Sequence, residues 1–176
     1  SRWRVSLAVA AALALVVVVG VAALLAPPRP TPQAELALHD AWADSGTDAQ
    51  IAAPVWLTAV IEATGLRLAR TAPLMSDGAR SGTHYAFVGT NQCRLSLFEL
   101  PPAAGLDSTL TLLVQGDLRS ARWQADGQSF LVIARNMDGA RFATIAAALN
   151  EATISRAVPA ADQIALLRAA RQRCLS

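Results

Sequence analysis

The pattern of hydrophobic and polar positions divides the chain into an N-terminal apolar run and a longer mixed region. Residues 5–26 carry no charged side chain, and residues 27–30 read Pro-Pro-Arg-Pro. A helix over these 22 residues rises about 33 Å, enough to cross a hydrocarbon core of roughly 30 Å. We therefore predict a short stub over 1–4, a transmembrane helix over 5–26 and a Pro-rich spacer over 27–35 that ends the helix.

The charges that flank this run predict its orientation. Arg2 and Arg4 precede it and Arg29 follows it, so the excess of arginine favours a cytoplasmic N-terminus and a soluble region outside the cytoplasm. A cleaved secretory signal is the alternative, because a basic start and small residues such as Gly20 are also typical of signal peptides. The run is longer than the usual signal core of roughly 7 to 15 residues, which favours a retained anchor.

Small residues within the run offer a face for another membrane helix. Ala8, Ala12, Gly20 and Ala23 are spaced so that a neighbouring helix could approach closely. Alanine is abundant throughout the chain, so the same spacing also arises without a partner. We predict contact with the lipid bilayer and with one or more membrane proteins.

Helical and strand patterns alternate beyond the spacer. Residues 35–44 and 55–64 predict short helices, the second with Pro54 at its start and Gly65 at its end. From residue 66 the period changes to two, which indicates strands with one buried face, and Asp126-Gly127 predicts a hairpin turn. The alternating apolar positions are Leu66 and Leu68, Tyr85 and Phe87, and Cys93, Leu95 and Leu97.

Two more helices are expected towards the C-terminus. Asp138 can cap a helix whose apolar stripe contains Phe142, Ile145 and Leu149, and Pro159 precedes a last helix. The predicted fold class is α+β: a single N-terminal transmembrane helix followed by a small two-layer domain of antiparallel sheet with helices packed on one face. The domain spans 36–152, and the C-terminal helix, 153–176, packs on the sheet or on another protein.

The composition excludes some functions. The net charge is +2, and the fifteen basic residues, all arginine, are scattered, so no nucleic-acid surface is indicated. The absence of lysine excludes lysine-based covalent catalysis. Glycines occur singly, so the sequence contains no phosphate-binding loop.

The residues that could bind a metal or react are few and widely spaced. His39, His84, Cys93 and Cys174 lack the short spacings of a metal site, and the two histidines form no nucleophile signature. We expect His39 on a helix face and His84 on the solvent side of a strand. We therefore predict no catalytic residue, no metal, no cofactor and no small-molecule substrate. Cys93 and Cys174 could form a disulfide in an oxidising compartment. The alternative is that the two thiols do not meet in the folded chain.

Tryptophans are the candidate contact residues of the soluble region. Trp123, beside the predicted hairpin turn, is expected to pack in the core against the helix of Phe142. Trp42 and Trp56 are either core residues or anchors at a protein interface, where tryptophan is enriched.

Several short motifs follow one another in a recognisable order beyond the predicted anchor. They are Pro54-Val55, Gly65-Leu66, Tyr85-Ala86, Leu95-Ser96-Leu97-Phe98, Trp123-Gln124-Ala125-Asp126-Gly127-Gln128-Ser129-Phe130 and the capped helix near Asp138. This order of elements resembles the extracytoplasmic half of bacterial transmembrane anti-sigma factors. The resemblance covers about residues 34–149 and the predicted anchor, and its motifs are structural.

The resemblance implies a non-catalytic single-pass protein of a bacterial inner membrane, with a periplasmic domain that binds protein. Such regulators usually carry a cytoplasmic sigma-binding domain, often with a His-x-x-x-Cys-x-x-Cys zinc motif, but only four residues precede Val5 here. Either the sequence begins partway through a longer protein, or this relative lacks that domain. The alternative function is an accessory subunit of a respiratory or photosynthetic membrane complex, capping its periplasmic side.

Overall fold

The computed structural model describes residues 32–42, 52–76, 78–90 and 93–171. Helices and strands within these ranges follow the order α-α-β-β-β-β-β-β-α-α. The helices are α1 (Gln33–Ala41), α2 (Val55–Ala63), α3 (Gly139–Ser155) and α4 (Ala161–Ala169). The strands are β1 (Arg67–Ser76), β2 (Ala79–Val88), β3 (Arg94–Leu100), β4 (Thr111–Gln115), β5 (Leu118–Ala125) and β6 (Gln128–Arg135).

The strands of the described region form one antiparallel sheet in the order β1-β2-β3-β6-β5-β4. The predicted turn at Asp126-Gly127 is confirmed, and both residues have the positive φ that such a turn requires, 51° and 71°. The turn between β4 and β5 has positive φ at Gly116. Strands that are consecutive in the chain pair with each other, except β3 and β4, because β6 lies between β3 and β5. Strands β1 and β4 are therefore the two edges of the sheet.

The first face of the sheet carries the main core. Helices α2 and α3 cover it and α4 packs against these two helices; the apolar residues of all three helices form one buried cluster with the inward residues of β2, β3, β5 and β6. Trp123 is fully buried there, and its indole N–H donates to Thr153 Oγ1 at 2.8 Å. Helix α4, whose packing the sequence left open, buries Leu167 in the same cluster.

The second face of the sheet is covered in part by α1. Leu36 of α1 packs against a cluster formed by Phe98, Leu118, Leu131 and Ile133. Trp42, which follows α1, packs against residues of β1 and β2. The sheet therefore has helices on both sides, and the described domain has three layers.

Several predicted helix ends are confirmed. Pro54 precedes α2, and Gly65, with φ +80°, follows it in a conformation that glycine adopts readily. The Asp138 side chain accepts a hydrogen bond from the Arg141 N–H at 2.9 Å, so it caps α3 as expected.

The predicted fold class is nevertheless wrong as a whole. The α+β antiparallel sheet is present, but helices pack on both of its faces, so a two-layer domain with helices on one face is excluded. None of the helices in the ranges given above is both long and apolar enough to cross a membrane. The run 5–26, with Ala8, Ala12, Gly20 and Ala23, lies outside the described residues.

Candidate functional site

Two histidines and a serine meet between α1 and the second face of the sheet. His39 Nδ1 lies 2.8 Å from Ser96 Oγ, and His84 Nε2 lies 3.0 Å from the same oxygen. The three side chains are 2%, 3% and 0% exposed, respectively. We call them the histidine–serine cluster.

The sheet register explains why these residues meet. His84 pairs directly with Phe98, and Ser96 pairs with Ala86, so the histidine and the serine occupy diagonal positions on one face of β2 and β3. The His84 and Phe98 rings stack with centroids 4.4 Å apart. Helix α1 then brings His39 over Ser96 from above the sheet.

The hydroxyl of Ser96 constrains the protons of both rings. A hydroxyl has one hydrogen to donate and two lone pairs to accept with. If Ser96 donates to one imidazole, the nitrogen of the other imidazole must carry a hydrogen and donate to Ser96 Oγ. With Ser96 as a donor, two neutral arrangements satisfy the cluster, and they differ in the tautomer of both imidazole rings.

Burial keeps both histidines neutral near pH 7. The pKa of His39 is lowered from 6.5 to about 4, chiefly by loss of hydration; Asp40 opposes the shift, while Arg135 and Arg94 contribute to it. Burial likewise lowers the pKa of His84 to about 4, assisted by His39 and Arg70. Acid must therefore overcome both desolvation and repulsion to charge this cluster.

An ion pair at the solvent edge also holds α1 to the sheet. Arg135 of β6 donates from Nε and Nη2 to the two carboxylate oxygens of Asp40 at 2.7 and 3.0 Å. Its Nη1 also lies 3.2 Å from both oxygens of Asp117. The hydrogen bond from Arg135 lowers the pKa of Asp40. Helix α1 is thus fixed by an apolar contact, a buried polar cluster and a bidentate ion pair.

The arrangement does not favour nucleophilic catalysis. Ser96 lies beneath α1, where a substrate cannot reach its hydroxyl, and both of its histidine contacts are also buried. The nearest carboxylate on α1, Asp40, bonds to Arg135 rather than orienting a histidine. What the cluster can do is hold α1 while neutral and weaken that hold when protonated.

The residues considered as metal ligands do not converge. His39 and His84 meet each other through Ser96, but within the described ranges no group of three or more His, Cys, Asp and Glu side chains could hold a metal ion. The expected position of His84 on the solvent side of its strand is wrong, because α1 covers that face. His39 does lie on a face of its helix, turned inward.

Neither candidate interface tryptophan presents an exposed ring. Trp42 is 7% exposed and Trp56 is 8% exposed, and both belong to clusters within this chain. The guanidinium of Arg156 lies 5.7 Å from the Trp56 ring centroid. A contact of either residue with another protein stays a prediction.

Cys93 is buried and disulfide-bonded. Cys174, the predicted partner, lies outside the described residues, so their pairing stays a prediction. The contacts of Arg171 support it: this side chain donates to the carbonyls of Glu62 and Ala63 at 2.9 Å, and it packs against Gly65. Cys93 lies close to Gly89, which itself approaches Gly65, the residue that Arg171 contacts. Cys174 follows Arg171 by three residues in the sequence, and three residues span at most about 10 Å, so a bond between the two cysteines is compatible with these contacts.

An open depression at one end of the sheet is separate from the cluster. It has a volume of about 330 Å³ and is lined by residues that include Gly82, Glu99 and Pro101. Glu99 is the one ionisable side chain in its lining, and it accepts a hydrogen bond from the Tyr85 hydroxyl at 3.3 Å. A single carboxylate does not make an acid-base pair, so the lining of this depression does not favour acid-base catalysis.

Ser96 is the residue that the sequence interpretation missed. The alternation of Leu95 and Leu97 with polar neighbours predicts only one buried face for its strand. The signal that both faces are buried lies in residues 129–134, Ser-Phe-Leu-Val-Ile-Ala, because a continuous apolar run is typical of a strand covered on both sides. Since β3 pairs with β6, the same burial extends to Ser96.

No family model, curated protein or solved structure matches this chain.

Proposed function

We propose that this chain is a non-catalytic, membrane-associated protein-binding domain on the periplasmic side of a bacterial inner membrane, similar to the sensor part of a transmembrane anti-sigma factor. The membrane and the compartment in this proposal come from the sequence of residues 1–30. The observation that carries the non-catalytic assignment is the enclosure of the histidine–serine cluster, since the reactive side chains of this cluster bond to one another beneath α1.

Helix α1 is the part of the domain suited to transmit a signal. It has nine residues, and isolated helices shorter than about 12 residues are marginal in water, so its structure depends on docking. Leu36, His39 and Asp40 hold it to the sheet through one apolar contact, one buried polar contact and one partly exposed ion pair. Elements of this kind open at lower cost than the core. Docking and release of α1 would give the domain two states that a partner could distinguish.

Transcript profiling tests the regulatory part of the proposal. A strain lacking the gene for this chain is compared with strains that carry the wild-type protein, Ser96→Ala or the exposed control Ser76→Ala. We expect the deletion to change a set of transcripts that share one promoter type. Ser96→Ala, which weakens α1 docking, should reproduce part of that change, whereas Ser76→Ala should restore the wild-type profile.

Two results would contradict the proposal. If the deletion changes no set of transcripts with a common promoter type, the regulatory role is excluded. If the protein instead co-migrates stoichiometrically with a cofactor-bearing membrane complex in mild detergent, the accessory-subunit function takes the place of the regulatory one. A chemical activity lost in Ser96→Ala and retained in Ser76→Ala would overturn the non-catalytic assignment.

A further inference from the structure

Only one of the two edge strands of the sheet carries features that block pairing with another strand. Strand β1 contains Pro73 and Arg70, and its pairing with β2 is shifted at two places. Proline, charge and bulges are the common means by which proteins block an exposed edge. Strand β4, Thr-Leu-Leu-Val-Gln, has no charge, no proline and no shift in its pairing with β5. Among the residues that the structure describes, the outer edge of β4 is therefore open, whereas the β1 edge is blocked.

The side chains of β4 are exposed on the helix-covered side of the sheet. Leu112 is 45% exposed and Val114 is 63% exposed. Leu112 pairs with the buried Ala121, which places Leu112 and Val114 on the same face of the sheet as α3. They form a two-residue apolar patch directly beside the open edge.

The backbone groups that β4 offers follow from its hairpin. Gln115 and Leu118 flank the two-residue turn and pair with each other. Hydrogen-bonded and non-hydrogen-bonded pairs alternate from there, so Gln115, Leu113 and Thr111 bond to β5. Leu112 and Val114 direct their N–H and C=O groups away from the sheet.

We propose that β4 pairs in antiparallel fashion with β4 of a second copy of this chain, with Leu113 on the two-fold axis. This register places Leu112 opposite Val114 of the other copy, so the outward backbone groups of both strands form about four hydrogen bonds. It also joins the two apolar patches into one. All five residues of β4 are paired, more than in a register centred on Leu112 or Val114.

The charges around β4 favour a second copy as the occupant. Strand β4 has no charged side chain that would attract a charged partner. Pairing it with β4 of a second copy places no like charges opposite each other. The nearest arginines, Arg119 and Arg122, lie on β5. In the paired sheet the two β5 strands are three strand spacings apart, about 14 Å, which exceeds the Debye length of about 8 Å at physiological salt.

This proposal rests on the proposed protein-binding function and names one partner for it. A two-fold contact uses the same surface on both copies, and it closes without extending into a fibre. Chains held at one membrane would meet at high local concentration, which assists an interface as small as one strand pair.

Disulfide cross-linking of the full chain in a mild detergent tests the register. Leu113→Cys places the introduced side chains of two copies directly opposite each other, with Cβ atoms about 4.5–5.5 Å apart, close to disulfide range. Thr111→Cys chains alone, or Gln115→Cys chains alone, place them about 13 Å apart along the strand. A mixture of Thr111→Cys and Gln115→Cys chains should again cross-link, because these positions face each other.

We expect Leu113→Cys and the mixture to form dimers at least about tenfold faster than either control chain alone, given these separations. Equal rates for all variants, or no dimer from Leu113→Cys, would overturn the proposed register. Val114→Lys should abolish dimers in sedimentation, whereas the exposed control Val158→Lys should not. A wild-type chain that is monomeric in sedimentation would overturn the proposed dimer but not the proposed protein-binding function. If Val114→Lys then blocked binding of a different protein, the protein-binding function would still stand.

Discussion

His39 and His84 lie on different elements and contact the same hydroxyl oxygen, at 2.8 and 3.0 Å. One comes from a short helix and the other from a central strand, so the shared contact joins α1 to the sheet. The oxygen belongs to Ser96, which is fully buried. Because a single hydroxyl contacts two buried rings, the polar part of the α1 contact depends on this one side chain.

Ser96→Ala should lower the free energy of unfolding by about 2–4 kcal/mol, because the change leaves two buried ring nitrogens without their partner. Urea unfolding followed by circular dichroism measures this loss. Ser76→Ala, at an exposed position at the end of β1, should stay within about 0.5 kcal/mol of the wild type. Equal stabilities for the two variants would show that the shared hydroxyl contributes little.

Acidification should release α1 before the rest of the domain unfolds. The pKa values of His39 and His84 are about 4 in the docked state, below the ordinary value of 6.5, so the docked state binds fewer protons. Its extra stability is full above pH 6.5 and is lost as the pH falls towards 4. The loss reaches at most about 3 kcal/mol for each histidine.

Hydrogen exchange with mass spectrometry of the segment Gln33–Ala41 measures this release. Protection of the segment should fall between pH 6.5 and 4, after correction for the intrinsic pH dependence of exchange. His39→Gln should reduce the pH dependence by about half, since it removes one of the two shifted groups. An unchanged profile in this variant would assign the effect to other groups.

Much of the fold could be predicted from local sequence patterns. Pro54 with Gly65 bounded α2, Asp138 capped α3, and Asp126-Gly127 set the β5–β6 turn. These signals work because each depends on backbone conformation within a few residues. The number of layers depends instead on where α1 docks, which is a contact between Leu36 and residues more than 60 positions away.

The candidate site could not be predicted from local patterns, because it also depends on contacts between residues that are distant in the sequence. Local patterns assign His39 to a helix and His84 to a strand, but not the buried side on which His84 lies, and Ser96 joins residues that are 57 and 12 positions away from it. Spacing rules for metal or catalytic motifs do not cover such distances. The apolar run of β6 was the available signal, because a strand buried on both faces implies a covering layer that the alternation in β3 alone did not indicate.

Asp40→Asn should loosen α1 with little effect on global stability. The Asp40–Arg135 pair is partly exposed, with side chains 46% and 35% accessible, and exposed pairs contribute about 0.2–1 kcal/mol. Exchange in Gln33–Ala41 should therefore rise modestly at low salt, and the difference from the wild type should shrink at high salt. Asp126→Asn, which breaks the ion pair with Arg156 on the other side of the sheet, should leave exchange in α1 unchanged.

Cys174→Ser should destabilise the C-terminal region if Cys174 is the partner of Cys93. The closed loop would be long, and removing such a disulfide from a small domain costs about 2–5 kcal/mol. We expect a lower melting temperature and faster exchange in Ala161–Ala169, because the docking of Arg171 on the end of α2 would lose its covalent support. Peptide mapping of the unreduced protein should recover one fragment that joins Cys93 to Cys174. Reduction should lower the melting temperature of the wild type and leave that of Cys174→Ser unchanged; a wild type insensitive to reduction would rule out a stabilising role for the bond.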